Sequence, residues 1–240
     1  MTVDEIVAAL ESDGYVVLEG MLEAGGVAAA RRELAPFLDE TPFGDNSFVG
    51  RRTKRLFGLP AKMRALDGCI AHPLVDEVLE VLLGPHLLST AVAVEIHPGE
   101  PAQTVHTDGS AWPVPQDERE IVVNAIWALD DFTEDNGATV IVPASDDTAR
   151  HTATMPAGAV LLYVGTLLHG GGENRSNAPR LGVVFGYTAA WLRQQETFTL
   201  TCPPAVARDA PARVRELLGY RLYPPFVGHV DGQDPAGLFD

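Results

Sequence analysis

The sequence predicts a mainly β protein in which helices flank a central barrel or jelly roll. Two features indicate this architecture: helical apolar spacing before about residue 86, and short β-branched and aromatic runs after it. Short runs separated by turn residues are typical of sandwiches and barrels rather than of βαβ units. We expect one domain over 1–240, with a helical part at about 1–85, a β core at about 86–192, and a C-terminal helix and tail at 193–240.

The first third of the chain carries helix signals. "TVDEIVAALESDG" has helical apolar spacing and ends at Gly14, and a short strand, "YVVLEG", follows it. "EAGGVAAARRELAPFLDE" is Ala-rich and helical, with Pro36 as a boundary or a kink. "HPLVDEVLEVLLG" is an amphipathic helix with Pro73 in its first turn and Gly84 at its end.

The β core is predicted from apolar runs that Gly, Pro, Asn and Asp clusters separate. A late helix, "DAPARVRELLGY", precedes a tail rich in Pro and Gly. The predicted strand regions are "HLLSTAVAVEIHPG", "IVVNAIWAL", "TVIVPAS", "AVLLYVGTLLHG" and "RLGVVFGYTAAWL".

Composition excludes several classes of partner. The formal net charge of −16 argues against nucleic acid, and the single basic cluster "GRRTKR" is expected to be a solvated loop or an anion site. No apolar run approaches the length of a membrane span, and the acidic start lacks the features of a signal peptide. Cys69 and Cys202 suggest no disulfide framework. We expect a cytoplasmic protein that binds a small molecule, with a homodimer as one compatible assembly.

The motif "HTD" contains His106 and Asp108 in a stretch predicted to be extended. Alternate residues of a strand point to one face, so both side chains can reach one metal ion. His169 is the third candidate, because it ends an apolar run and three glycines follow it. Two histidines and one carboxylate that leave metal positions open are typical of non-haem Fe(II) oxygenases.

Arg180 is expected to bind a carboxylate near this metal. It begins a predicted strand eleven positions after His169, beyond a turn-rich connection that would return the chain as a hairpin. On a regular strand it shares a face with Gly182, Val184 and Gly186, which leave space for a small acid. A buried guanidinium needs an anionic partner, and its planar fork suits a carboxylate.

The chain resembles the phytanoyl-CoA dioxygenase family. The resemblance is carried by His106 and Asp108, by "WALDDFTEDNGATVIVPAS", by "HGGGENRSNAPR" and by "DGYVVLEGML" near the start, and it covers roughly residues 5–190. It implies a double-stranded β-helix and an Fe(II)- and 2-oxoglutarate-dependent dioxygenase that uses O₂. The tail looks more like the branch that acts on small natural products than like the acyl-CoA enzyme.

Carried over residue by residue, the resemblance assigns iron to His106, Asp108 and His169. It assigns the distal carboxylate of 2-oxoglutarate to Arg180, and it suggests that Thr139 and Gln103 help to seat this cosubstrate. Asp108 is present where halogenating relatives have a small residue, so hydroxylation or a related oxidation of a C–H bond is expected, with release of succinate and CO₂.

Other interpretations remain open at this stage. A cupin-like metal hydrolase or isomerase would use the same ligands without 2-oxoglutarate, and a non-catalytic barrel would only bind a ligand. Trp112, just after the "HTD" motif, and Asn124, in "IVVNAIWAL", are candidate substrate contacts. Alternatively, Trp112 packs in the core or at the rim of the barrel, and the amide of Asn124 is hydrogen-bonded to the backbone.

Overall fold

A computed structural model describes residues 1–115 and 119–239 of the chain. The helices lie mainly before the β core and after it. Thr2 caps the first helix with its side chain, and Gly14 ends that helix in a left-handed conformation, as the sequence predicts. The helices are Val3–Asp13 (α1), Ala24–Glu40 (α2), Leu59–Lys62 (α3), Asp67–Ile70 (α4), Pro73–Leu83 (α5), Phe198–Thr201 (α6), Pro204–Ala207 (α7) and Ala212–Leu217 (α8).

The strands form two antiparallel sheets. The larger has the order β1-β7-β4-β9-β3-β2 and the smaller the order β6-β5-β8. The strands are Tyr15–Leu18 (β1), Thr53–Leu56 (β2), His86–Ile96 (β3), Val122–Ala128 (β4), Thr139–Val142 (β5), His151–Thr152 (β6), Val160–Val164 (β7), Leu168–Gly171 (β8) and Arg180–Ala189 (β9). Non-consecutive neighbours within each sheet are typical of a jelly roll, so the predicted fold class is confirmed.

The central strands of the large sheet are buried on both faces. Along β9, Val183, Phe185 and Tyr187 join the apolar core that the helices cover. The alternate residues Gly182, Val184 and Gly186 line a cavity that β5 and β8 also border. The sequence accordingly shows a nearly continuous apolar run, because one face of this strand packs in the core and the other lines the cavity.

Two predicted elements differ from the structure. The helix α2 continues through Pro36, so a boundary there is wrong; Leu34 and Leu38 on its buried face stabilise the helix despite the lost hydrogen bond. The basic cluster "GRRTKR", expected as a solvated loop or an anion site, overlaps strand β2, so the loop is wrong for 53–55; Thr53 and Leu56 of β2 are buried, and the strand pairs with β3.

The run "AVLLYVGTLLHG" forms two strands rather than one. After β7, a turn at 165–167 takes the chain into β8, which belongs to the small sheet. His169 therefore lies inside a short strand, and β8 and β9 belong to different sheets rather than forming a hairpin. Periodicity could not locate the turn, because apolar residues continue on both sides of it.

No helix within the described residues combines the length and apolar character that crossing a bilayer requires.

Candidate metal centre

His106 and His169 are paired directly across an antiparallel bridge. Each backbone N–H donates to the other's carbonyl, at 2.9 and 3.0 Å, and the two rings lie 4.6 Å apart between centroids. The contact fixes both imidazoles side by side on one surface of the cavity, although they lie far apart in the chain. The sequence could place His169 at a strand but could not reveal this pairing.

In each of the two imidazole rings, one nitrogen is hydrogen-bonded to a backbone carbonyl and the other faces the cavity. Nδ1 of His106 lies 3.1 Å from the carbonyl of Thr104, and Nδ1 of His169 lies 3.1 Å from the carbonyl of Leu167. A carbonyl can only accept, so each Nδ1 carries a proton; each Nε2 can then donate to the carboxylate when the ring is protonated, or bind a metal ion through its lone pair when the ring is neutral. Both Nε2 atoms face the Asp108 carboxylate, at 3.4 and 3.5 Å.

Asp108 reaches the histidines from a 3₁₀ turn, Asp108–Ala111, rather than from the expected strand. The prediction of an extended "HTD" is therefore wrong after Thr107, yet the side chains converge. Ligand atoms of His106, Asp108 and His169 all lie within 4.8 Å of one another, as a shared metal ion requires.

The electrostatics of this cluster favour an ionised carboxylate between the two rings. Burial acts to raise the pKa of Asp108, but hydrogen bonding with His106 and the charge of His169 outweigh it, so the pKa falls below its usual value. Hydrogen bonding to Asp108 raises the pKa of His106, whereas burial lowers the pKa of His169. A divalent cation would match this donor set of two imidazoles and one carboxylate.

Asn124 and Tyr163 both donate to Asp108. The Asn124 amide nitrogen lies 2.9 Å from Oδ2 and the Tyr163 hydroxyl lies 3.2 Å from the same oxygen. Asn124, expected at the substrate, does line the cavity, but its amide is committed to Asp108. Tyr163 was not predicted as a site residue; its sequence signal is its place in the apolar run that leads to His169.

Arg180 is buried with incomplete hydrogen bonding. It is 3% exposed, its Nη2 donates to the carbonyl of Gly137, and its guanidinium lies 4.1 Å from the centroid of the Phe132 ring. Its Nε has no hydrogen-bond partner among the described residues. Burial outweighs the nearby Asp130 and lowers the pKa of Arg180 to about 9. The side chain faces the same cavity as the histidines, where an anionic ligand would complete its contacts.

Arg55 is a second arginine in the cavity, and it belongs to the basic cluster for which the sequence left a solvated loop and an anion site as alternatives. It lies on β2 and lines the cavity together with Phe57, two positions further on. Burial lowers the pKa of Arg55, and the charge of Asp108 opposes this change. The available sequence signal was the shared face of Arg55 and Phe57, which the surrounding positive charges obscured.

The remaining predicted residues also border the cavity, whose volume is about 240 Å³. Thr139 on β5 is buried there. Gln103 accepts from the N–H of Gly171 at 3.1 Å and donates to the carbonyl of Phe48 at 2.9 Å, so its amide joins two backbone segments. The indole N–H of Trp112 donates to the carbonyl of Arg193 at 3.0 Å.

A jelly roll whose cavity holds two histidines, one aspartate and a partly unsatisfied arginine defines the class of non-haem iron oxygenases. The model of the family described as Phytanoyl-CoA dioxygenase (PhyH) matches residues 10–182. The chain belongs to this family.

Named relatives and solved structures agree with that assignment. The dioxygenase aneA of Aspergillus aculeatus is 34% identical over 223 residues, covering 81% of this chain and 75% of that protein. The non-haem α-ketoglutarate-dependent epimerase SnoN from nogalamycin biosynthesis has a similar fold, with a TM-score of 0.68, 23% identity, and coverage of 78% of this chain and 83% of that one. HygX from Streptomyces hygroscopicus, with nickel, 2-oxoglutarate and hygromycin B bound, gives a TM-score of 0.65 at 17% identity, covering 79% and 88%.

The double-stranded β-helix expected from the resemblance is confirmed, and so is the class of enzyme. The chain is a non-haem iron, 2-oxoglutarate-dependent dioxygenase, an oxidoreductase that uses O₂. The family assignment sets aside the non-catalytic barrel and the hydrolase or isomerase that would work without 2-oxoglutarate.

Proposed function

We propose that His106, Asp108 and His169 bind Fe(II) and that the enzyme hydroxylates, or otherwise oxidises, a C–H bond of a small organic molecule. The observation that carries this proposal is the convergence of two Nε2 atoms and one carboxylate beside a cavity. When bound, iron and 2-oxoglutarate supply, with O₂, the oxidant for the C–H bond, and succinate and CO₂ are released. The protein positions these groups and excludes water.

Two arginines are proposed to hold 2-oxoglutarate. Arg180 presents an unsatisfied Nε in a buried setting, and Arg55 adds a second positive charge to the same cavity. The charge of Arg55 contributes to the lowered pKa of Arg180, so the two cations repel each other across this space. A dicarboxylate would relieve that repulsion and pair both guanidiniums. Thr139 is proposed to form part of the cavity wall around 2-oxoglutarate. Gln103 is proposed to contribute indirectly, by holding the two backbone segments to which its amide is hydrogen-bonded.

The substrate is proposed to be a largely uncharged small molecule. Apart from the three proposed iron ligands and the two arginines, the described residues that line the cavity are uncharged, and many are apolar. Phe57 and Trp112 border the cavity and are proposed substrate contacts. SnoN belongs to nogalamycin biosynthesis and HygX holds hygromycin B, which supports a natural-product substrate.

The chain is proposed to act as one domain in the cytoplasm. A single cluster of buried residues extends from Ile6 in α1 to Tyr220 near the C-terminal tail, which supports one folding unit. Cys69 and Cys202 are both free and buried, which is compatible with a reducing compartment. A homodimer, and no association with nucleic acid or membrane, remain parts of this proposal.

A substrate screen tests the proposed reaction. Purified protein with Fe(II), 2-oxoglutarate and O₂ would be offered a panel of uncharged small natural products, with succinate release and product mass as readouts. We expect succinate release together with a product that has gained one oxygen atom, or lost two hydrogen atoms, relative to the substrate. The His169→Ala variant should form neither. Products formed equally by His169→Ala would contradict the proposed metal site.

A further inference from the structure

The two oxygens of the Asp108 carboxylate have different surroundings. Oδ2 accepts one hydrogen bond from the amide of Asn124 at 2.9 Å and another from the hydroxyl of Tyr163 at 3.2 Å. Oδ1 lies 3.4 Å from Nε2 of His106, and Oδ2 also lies 3.5 Å from Nε2 of His169. Each carboxylate oxygen has about two acceptor positions, so the donors of Asn124 and Tyr163 fill those of Oδ2. Oδ1 accepts from neither of these donors, so it is the oxygen with acceptor capacity left for a metal ion.

Both donors are fixed by the large sheet. Asn124 on β4 and Tyr163 on β7 are directly opposite each other in the sheet, and each is 2% exposed. The Tyr163 ring packs on the ring of His169, with centroids 4.5 Å apart. On the other side of Asn124 lies Gly186, where an added Cβ would come within 2.8 Å of the Asn124 side-chain oxygen.

The orientation of the Asn124 amide follows from the chemistry of its partner. An ionised carboxylate only accepts, so the nitrogen of the amide, not its oxygen, must face Asp108. The small size of Gly186 lets the amide oxygen turn toward the β9 backbone. Three neighbouring strands thus supply Tyr163, Asn124 and Gly186 at one level, beneath a single carboxylate oxygen.

We propose that Asn124 and Tyr163 are positioning residues that keep Asp108 monodentate toward the metal ion. This inference rests on the proposed function. An octahedral ion with three protein ligand atoms has room for a chelating 2-oxo acid and one further ligand. A second carboxylate oxygen would take one of those positions, and carboxylates bind metals in either mode. By occupying Oδ2, the two donors keep the position that the cosubstrate needs.

The test compares metal binding with cosubstrate binding in variants that lack the donors. Tyr163→Phe removes one hydroxyl and keeps the ring on His169, and Asn124→Leu keeps the size of the side chain without a donor. Tyr187→Phe is the matched control, because its buried hydroxyl donates to the carbonyl of Ile70 at 2.8 Å, away from Asp108. Each protein would be titrated anaerobically with Fe(II) and then with 2-oxoglutarate, following the visible band of the chelate.

The double variant should keep Fe(II) affinity within about tenfold of wild type but bind 2-oxoglutarate at least about tenfold more weakly. Each single variant should show a smaller loss, and Tyr187→Phe should match wild type. Unchanged 2-oxoglutarate affinity in the double variant would overturn the inference, as would parallel losses of Fe(II), 2-oxoglutarate and Tm. If the double variant does not fold, Tyr163→Phe carries the test on the same criteria. A wild type that binds Fe(II) but gives no band would instead overturn the proposed function.

Discussion

Arg55 and Arg180 place two guanidinium groups against one small cavity in a chain whose net charge is −16. Burial lowers the pKa of each, and the charge of Arg55 adds to the effect on Arg180. Burying two like charges costs stability unless an anion offsets them. The protein therefore holds an arrangement that favours a dianionic ligand. The sequence alone singled out Arg180 and left the cluster that contains Arg55 open between a solvated loop and an anion site.

Replacing Arg55 with Met should weaken 2-oxoglutarate binding while leaving Fe(II) bound. Loss of one partner in a buried charge pair costs about 2–5 kcal/mol, so the Kd for 2-oxoglutarate should rise at least about thirtyfold. Anaerobic titration of the Fe(II) protein measures this Kd.

Lys54→Met is the control for Arg55→Met. Lys54 is the preceding residue of β2, but its ammonium donates to the carbonyl of Leu38, away from the cavity. This variant should bind 2-oxoglutarate as wild type does. An equal loss in both variants would show that general charge, rather than a contact in the cavity, is responsible.

At the scale of elements, strand β9 sets the spacing of the site. Arg180, Gly182, Val184 and Gly186 share one face, and the Arg180 guanidinium extends along the strand toward Gly182. Asp108 is held at the level of Gly186 through Asn124. Gly182 and Gly186 lie about 13 Å apart on an extended strand, which leaves space for a five-carbon dicarboxylate between the arginine and the proposed metal ligands.

Gly182→Ala tests whether β9 requires a residue without a side chain at position 182. An added Cβ would lie 2.7 Å from Cζ of the buried Phe132 ring and 3.5 Å from Nη1 of Arg180. We expect a loss of about 1–3 kcal/mol in the free energy of unfolding, from overpacking, together with weaker 2-oxoglutarate binding. Chemical denaturation and cosubstrate titration measure the two effects.

Gly25→Ala is the comparison for Gly182→Ala. Gly25 lies in helix α2, where an added Cβ would meet nothing within 4 Å, so this change should stabilise the protein by up to about 1 kcal/mol. Full stability and full cosubstrate affinity in Gly182→Ala would contradict the tight packing of Phe132 on β9.

Helix α4 contains a buried carboxyl that should make stability depend on pH. Burial, opposed by Arg64, raises the pKa of Asp67 from 3.8 to about 6. The folded state therefore binds this proton more tightly than the unfolded state, so the stabilisation is complete below about pH 4 and is lost as pH rises to about 6. Asp67→Asn should remove this dependence and gain about 1–3 kcal/mol above pH 6.

Urea unfolding of wild type and Asp67→Asn at several pH values between about 3.5 and 7 measures the effect. Asp39→Asn, which removes an exposed carboxylate from α2, is the control and should change little. A stability difference between Asp67→Asn and wild type that stays constant across this range would contradict the environment assigned to Asp67.

At the scale of the whole molecule, local sequence patterns predicted most helices and strands. The candidate metal site depends instead on the pairing of segments that are distant in the chain. The periodicities of α1, α5, β3, β4 and β9 are strong enough to be identified from the sequence, because each element has a consistently buried face. Pairing of His106 with His169 depends on a bridge between distant segments, which no local pattern encodes.

Two site residues were difficult to recognise from the sequence because of their neighbours. Arg55 lies among basic residues that are compatible with a solvated loop as well as with an anion site, and Tyr163 lies in a run that is typical of apolar core. Asn124 was predicted to face the cavity, but its hydrogen bond to Asp108 depends on β4 and on the turn at 108–111 meeting in space. Such contacts follow from the fold of the whole chain.

The most direct test of the central claim is anaerobic addition of Fe(II) and then 2-oxoglutarate to the purified protein, monitored by visible absorption. We expect a weak charge-transfer band that requires both components. The band should need much more 2-oxoglutarate in Arg180→Lys, because Lys loses the planar fork while Fe(II) remains bound. Bound Fe(II) with no band at any 2-oxoglutarate concentration would contradict the proposed site, and loss of Fe(II) in Arg180→Lys would contradict the role given to Arg180.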